Sequence, residues 1–158
     1  IAIWEGVKGE ELYLLKTAAL FHDAGFIHSY ESNEPIGAEM AKEMLPSFGY
    51  TEEQIEQVIQ LIGATKVPHN PKSHLEEIMC DADLDYLGRS DFFPKAATLK
   101  QELVKFGKIG EEEEPWIQMN INFLSAHKYF TESSKKRRKP EKLKRIEELK
   151  EKLELIEK

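Results

Sequence analysis

The dipeptide His22-Asp23 ends an otherwise apolar stretch, residues 14–21. His22 continues a stripe through Leu15 and Ala18 at helical spacing, so we expect its imidazole to face the protein interior. A buried imidazole and a neighbouring carboxylate are costly unless they find hydrogen-bond partners or a cation. A divalent metal ion satisfies both groups at once. His22 and Asp23 are therefore candidate metal ligands.

A second acidic cluster follows about sixty residues later and contains Asp81, Asp83 and Asp85. On a helix, we expect the apolar residues near them to define an inward stripe: Leu75, Met79, Ala82 and Tyr86. Asp83 lies beside this stripe and is the first choice for a third ligand. Asp81 tends toward the edge of the stripe and is the second choice, whereas we expect Asp85 to be solvated.

The composition excludes several classes of protein. The chain has 158 residues and a formal net charge of −7, which argues against a nucleic-acid partner. The one basic run, residues 135–139, is interpreted as a solvated surface. No apolar run approaches the ~20 residues that span a bilayer, so we expect no membrane partner. The single cysteine, Cys80, is expected in the core and fits a reducing cytoplasm.

The pattern predicts an all-α fold, because apolar residues recur at helical spacing and no stretch alternates with period two. Residues 1–158 are predicted to form a single domain. We expect Gly25 to end the first helix in a left-handed conformation, Asn33 to be the N-cap of the second, and Thr51 to open the third with a capping box. Predicted helices span residues 10–24, 34–45, 51–63, 73–88, 91–106, 115–130 and 140–158.

Residues 140–158 are predicted to be a highly charged C-terminal helical extension. Its apolar residues form one narrow stripe: Leu143, Ile146, Leu149, Leu153 and Ile156. Such a stripe can dock on the domain or pair with a second copy as a homodimer. We favour docking, and the homodimer stays open.

His22-Asp23 after an apolar helix, together with the later Ala82-Asp83-Leu84, resembles the HD superfamily of metal-dependent phosphohydrolases, and in particular a bacterial subgroup of HD-domain proteins. The resemblance implies a compact multi-helix bundle in which His22, Asp23 and Asp83 bind one divalent ion, with Asp81 as the neighbouring alternative. The family's pattern also has an earlier histidine. No histidine precedes His22, so we expect that one upstream of Ile1.

The resemblance implies hydrolysis of a small-molecule phosphate ester, such as a nucleotide. Nitrogen and oxygen ligands together suit Mn, Fe, Ni, Co or Zn, while Mg prefers oxygen, so the sequence does not select the ion. In this interpretation Asp23 binds the metal ion and also takes part in catalysis. Supporting roles fall to Glu34, or to Arg89 as a phosphate clamp.

The sequence also offers further candidate residues for the supporting role and an alternative function. Lys66 and His69 are further candidates for the supporting role, although each of the four supporting candidates is more simply a surface side chain. The remaining histidines are interpreted as structural: His28, His74 and His127. The alternative function is a degenerate HD-fold module that binds a nucleotide or a partner without turnover.

Overall fold

The computed structural model describes residues 1–156, and these form helices and turns without a strand. The prediction of an all-α fold is confirmed. The chain divides into two compact units, Ile1–Asp83 and the segment from Leu84 onward. The prediction that residues 1–158 form a single domain stays a prediction. Within the described residues, no helix is both long enough and apolar enough to cross a membrane.

The N-terminal unit contains four α-helices and two 3₁₀ turns. The helices are α1 (Gly9–Phe21), α2 (Asn33–Met44), α3 (Glu52–Ala64) and α4 (His74–Asp83), and the turns are Ala24–Ile27 and Leu45–Phe48. α1 contacts α2, α3 and α4, and therefore lies at the centre of this unit. Its core is built from aliphatic side chains of all four helices, among them Leu14, Ala18, Ala41, Val58, Ile62 and Ile78.

The N-terminus of α3 follows the predicted capping box. The Thr51 hydroxyl accepts a hydrogen bond from the Gln54 backbone N–H (3.3 Å), and the Gln54 side-chain oxygen accepts one from the Thr51 N–H (3.0 Å). Two backbone donors that the helix itself cannot pair are thereby satisfied. The buried face of α3 then packs into the core through Ile55, Val58, Leu61 and Ile62.

We expect Thr51→Ala to lower the free energy of unfolding by about 1 kcal/mol, because the cap of α3 is lost. Urea unfolding followed by circular dichroism measures the change. Thr98→Ala is the matched control, since the exposed Thr98 hydroxyl donates to the Pro94 carbonyl inside α5 and caps nothing. An equal loss in both variants would contradict the capping argument.

The junction between α1 and α2 differs from the prediction. α1 ends at Phe21 rather than at residue 24, and Gly25 lies in the 3₁₀ turn without a left-handed conformation. Gly25 is needed for another reason: a Cβ there would lie 2.0 Å from the Asn33 carbonyl oxygen. Asn33 is the first residue of α2, and Ser32, not Asn33, occupies the N-cap position.

The C-terminal unit begins with the 3₁₀ turn Asp85–Gly88 and continues with four helices. These are α5 (Phe92–Lys105), α6 (Glu113–Ala126), α7 (Glu132–Arg137) and α8 (Lys139–Ile156). α6 ends four residues before its predicted end at residue 130, because His127 adopts an extended conformation with ψ 138°. α7 was not predicted, and it includes part of the basic run that we expected to be solvated surface.

The tail packs within the C-terminal unit, as favoured from the sequence. Ile146 and Leu149 of α8 are buried in a second core with Trp116, Ile117 and Leu124 of α6. Part of the predicted stripe remains accessible, since Leu143 is 50% exposed and Ile156 is 43% exposed. Residues 157–158 of the predicted helix lie outside the described residues, and the homodimer stays a prediction.

Candidate metal centre

Three polar side chains from two distant parts of the sequence of the N-terminal unit come together. His22 directly follows α1, Asp23 is next, and Asp83 is the last residue of α4. The His22 Nε2 atom lies 3.2 Å from Asp23 Oδ2 and 3.4 Å from Asp83 Oδ1. One ligand atom from each residue lies within 4.8 Å of the others. This spacing allows a single metal ion to contact all three residues.

The α1 backbone orients the His22 ring. His22 Nδ1 lies 2.9 Å from the Ala19 carbonyl oxygen, which can only accept, so Nδ1 carries the proton. Nε2 therefore points toward the two carboxylates. A histidine that ligates a metal commonly has its second nitrogen held in this way by a carbonyl or carboxylate.

The two carboxylates favour a positive charge at His22. Hydrogen bonds to Asp23 and then to Asp83 raise the pKa of His22 to about 10, although burial opposes the shift. For Asp83, burial alone would raise the pKa. Hydrogen bonds from His22 and His69 outweigh this effect and hold the pKa of Asp83 below its usual value. A positive charge therefore stabilises the two carboxylates of the site. Either a proton on His22 or a metal ion in place of that proton supplies this charge.

His69 is a fourth member of the site. Its Nε2 atom lies 3.6 Å from Asp83 Oδ2 and 3.1 Å from the Thr65 carbonyl oxygen. Its side chain is only 5% exposed, so the simpler interpretation of a surface residue is wrong. The sequence makes His69 a candidate for a supporting role without indicating its partner, because its contact with Asp83 depends on the path of the loop between α3 and α4.

Asn33 contacts the dyad from α2. Its amide nitrogen lies 3.4 Å from the His22 carbonyl oxygen and 3.5 Å from Asp23 Oδ1. Its side chain therefore faces His22 and Asp23 instead of capping the helix. α2 approaches closely at Gly37, where a Cβ would lie 2.4 Å from the Phe21 carbonyl oxygen. The sequence does not reveal this role, because an asparagine before an acidic first turn is typical of an N-cap.

The acidic cluster spans the end of α4 and the following 3₁₀ turn, and its residues do not follow the predicted stripe. Asp81 is fully buried, whereas Ala82 is exposed. Asp81 does not belong to the group of ligand atoms around His22, while Asp83 does. The expectation that Asp85 is solvated is also wrong. Arg138 donates to it through Nε (2.6 Å) and through a second guanidinium nitrogen (3.1 Å).

The remaining candidates have different surroundings. Glu34 lies half-buried in the first turn of α2, and Lys66 is exposed. Arg89 belongs to the C-terminal unit, and its guanidinium donates two hydrogen bonds to Asp91, at 2.9 and 2.7 Å. A phosphate at Arg89 would therefore compete with an existing bidentate ion pair.

The three histidines interpreted as structural are also distinct from the ligand group. His28 is exposed, and His74 contacts the carboxylates of Glu5 and Glu77. The His127 ring packs edge-on against Tyr129 at a centroid distance of 4.6 Å. None of the three belongs to the group around His22.

A family model for the HD domain matches residues 2–85, which is more than half of the 158-residue chain. The chain belongs to the HD domain family. The matched segment contains His22, Asp23, His69 and Asp83, so the resemblance recognised from the sequence is confirmed. Searches of curated proteins and of solved structures gave no match.

Proposed function

We propose that this HD domain protein is a metal-dependent phosphohydrolase that acts on a phosphate ester, with a nucleotide as the substrate class. The observation that carries the proposal is the convergence of His22, Asp23 and Asp83 at ligand spacing. Membership of the HD family supports it, because the superfamily consists generally of metal-dependent hydrolases.

The donor set fits a divalent ion. One imidazole nitrogen and two carboxylate oxygens suit Mn, Fe, Ni, Co or Zn, and the carboxylates also suit Mg. We propose that His22, Asp23 and Asp83 hold the ion. Three protein ligands leave coordination positions for water and substrate, which is the arrangement of catalytic rather than structural sites.

The Asp83 and Asp23 side chains differ in exposure, and we assign them different roles on that basis. The Asp83 side chain is 21% exposed and lies against two imidazoles, so it acts as the anchored ligand. The Asp23 side chain is 60% exposed and can reach both the ion and a water molecule from solvent. When bound by these residues, a divalent ion would supply Lewis-acid chemistry for a phosphoryl oxygen and for a water molecule. Glu34 is proposed as the general acid, and phosphate binding by Arg89, which belongs to the C-terminal unit, stays a prediction.

The test is release of inorganic phosphate from nucleoside mono-, di- and triphosphates, with each of the six metals added in turn. We expect at least one nucleotide to be hydrolysed, and removal of the metal by dialysis against a chelator to stop the reaction. Restoring the metal should restore the rate. Hydrolysis that persists after complete metal removal would contradict the proposal.

A calorimetric experiment beside the phosphate-release assay tests the alternative function, a module that binds its ligand without turnover. Titration calorimetry reports metal and nucleotide binding independently of hydrolysis. Binding of both ligands without release of phosphate from any nucleotide would favour that alternative.

We also propose a cytoplasmic location, because the one cysteine, Cys80, is buried as a free thiol and donates to the Ala64 carbonyl.

A further inference from the structure

The C-terminal unit contains a cavity of about 590 Å³ that is rich in lysine. It lies between the end of α6, α7, α8 and the segment that joins α6 to α7. Five of its lining residues are lysines, and we call it the lysine cavity: Lys128, Lys135, Lys139, Lys142 and Lys150. Its one acidic lining residue is Glu147. This surplus of positive charge is notable in a chain whose net charge is −7.

Lys142 is the buried member of this group and is only 5% exposed. Its ammonium group donates to the Leu124 carbonyl oxygen (2.8 Å) and to that of His127. Within the described part of the chain, no carboxylate lies at ion-pair distance from it. Burial and then the charge of Lys139 lower the pKa of Lys142. A buried cation without a counter-charge is unfavourable, so an anion bound in the cavity would stabilise it.

The exposed lysines differ in their partners. Lys135 pairs with Glu132 (2.8 Å), and Lys150 pairs with Glu147 (2.9 Å). Lys128 and Lys139 have no such carboxylate among the described residues. Two ammonium groups at the rim of the cavity are thus available to an incoming anion.

Apart from Ser125 and His127, the rest of the lining is apolar or aromatic. Leu124, Leu143 and Ile146 contribute aliphatic surface, and Tyr129 contributes a ring that lies 5.7 Å from the Lys142 ammonium. The volume falls within the range of roughly 300–1,000 Å³ that is typical of small-molecule sites. Charged groups beside an apolar wall suit a ligand with an anionic end and an uncharged end.

We propose that the lysine cavity binds a small molecule that carries a diphosphate group, with the phosphates at Lys128 and Lys139 and the uncharged part against Leu143 and Ile146. Two ammonium groups match a ligand with two adjacent anionic groups better than a singly charged one. The limited volume of the cavity and the net charge of −7 favour a small molecule over a nucleic acid. The proposal is independent of the metal centre and of phosphohydrolase activity.

Titration calorimetry of the metal-free protein tests the proposal, because without metal the phosphates have no ion to bind at His22. The probes are inorganic pyrophosphate and ADP, at low salt. We expect one site per chain for each probe, and tighter binding of ADP because its nucleoside contacts the apolar wall. The double variant Lys128→Ala, Lys139→Ala should bind both probes at least about tenfold more weakly, since two charge-assisted hydrogen bonds are lost.

The control is a second double variant, Lys105→Ala, Lys144→Ala, which removes the same charge from exposed lysines that do not line the cavity. Its affinity should stay within about twofold of the parent. No heat from either probe at millimolar concentration would overturn the proposal, and so would equal losses in the two double variants. Tighter binding of a single-stranded oligonucleotide than of ADP would also overturn it, because this face would then be a nucleic-acid surface.

Discussion

Asp23→Ala is expected to lower metal-dependent phosphate release at least about 100-fold, the loss typical of removing one preorganised group at a reacting centre. Asp23 is one of three proposed ligands, and its carboxylate lies 3.2 Å from His22 Nε2. Its side chain is 60% exposed, so the free energy of unfolding should change by less than about 1 kcal/mol. Phosphate release from the best nucleotide substrate, alongside urea unfolding, measures both effects.

Glu43→Ala is the control for this variant, because it removes an exposed carboxylate from α2 outside the ligand group. The control should keep the parental rate. Calorimetric titration with the activating metal adds a second readout, in which only Asp23→Ala should lose affinity. A parental rate in Asp23→Ala would refute the assignment of His22, Asp23 and Asp83 as the reacting centre.

Gly25→Ala is expected to lower the free energy of unfolding by about 3 kcal/mol, the upper part of the range for overpacked interiors. A Cβ at Gly25 would meet the Asn33 carbonyl oxygen at 2.0 Å, and neighbouring backbone carbons of Asn33 at 2.6 Å. These are backbone atoms at the start of α2, so they cannot move aside by a rotamer change. The turn and α2 must separate, which should also displace the Asn33 amide from Asp23.

Gly63→Ala is the matched control, since Gly63 lies in α3 and a Cβ there would meet nothing within 4 Å. That variant should gain roughly 0.5–1 kcal/mol from the higher helix propensity of alanine. Urea unfolding followed by circular dichroism compares the two. Similar stability of both variants would show that the turn at Gly25 tolerates a side chain and that its close approach to α2 is not needed.

Local signals predicted most of the helices because they act over a few residues. Thr51 and Gln54 pair across one turn, and the buried face of α3 follows its apolar spacing. The errors arose where distant contacts decide the outcome. The sequence predicts a left-handed conformation at Gly25, whereas in the structure a glycine is needed there because α2 approaches too closely for a Cβ. His127 ends α6 early, and nothing in its immediate neighbours marks that break.

The candidate site was predicted in part. His22 and Asp23 were found because polar groups interrupt an apolar stripe, and this reasoning needs no knowledge of tertiary structure. Asp83 was selected on the expectation that Ala82 faces inward, yet Ala82 is exposed. The resemblance to the HD family favours the same aspartate but leaves Asp81 as the neighbouring alternative. His69 is a candidate from the sequence, but its contact with Asp83 is not predictable, because it depends on how the loop after α3 passes the end of α4.

The position of Asp83 has a consequence for synthesis of the protein on the ribosome. His22 and Asp23 leave the ribosome roughly sixty residues before Asp83, which is the last residue of the N-terminal unit. At typical elongation rates of ~5–20 residues per second, Asp83 is synthesised about 3–12 s after His22 and Asp23. A nascent chain therefore cannot assemble the ligand group until the entire N-terminal unit has been made.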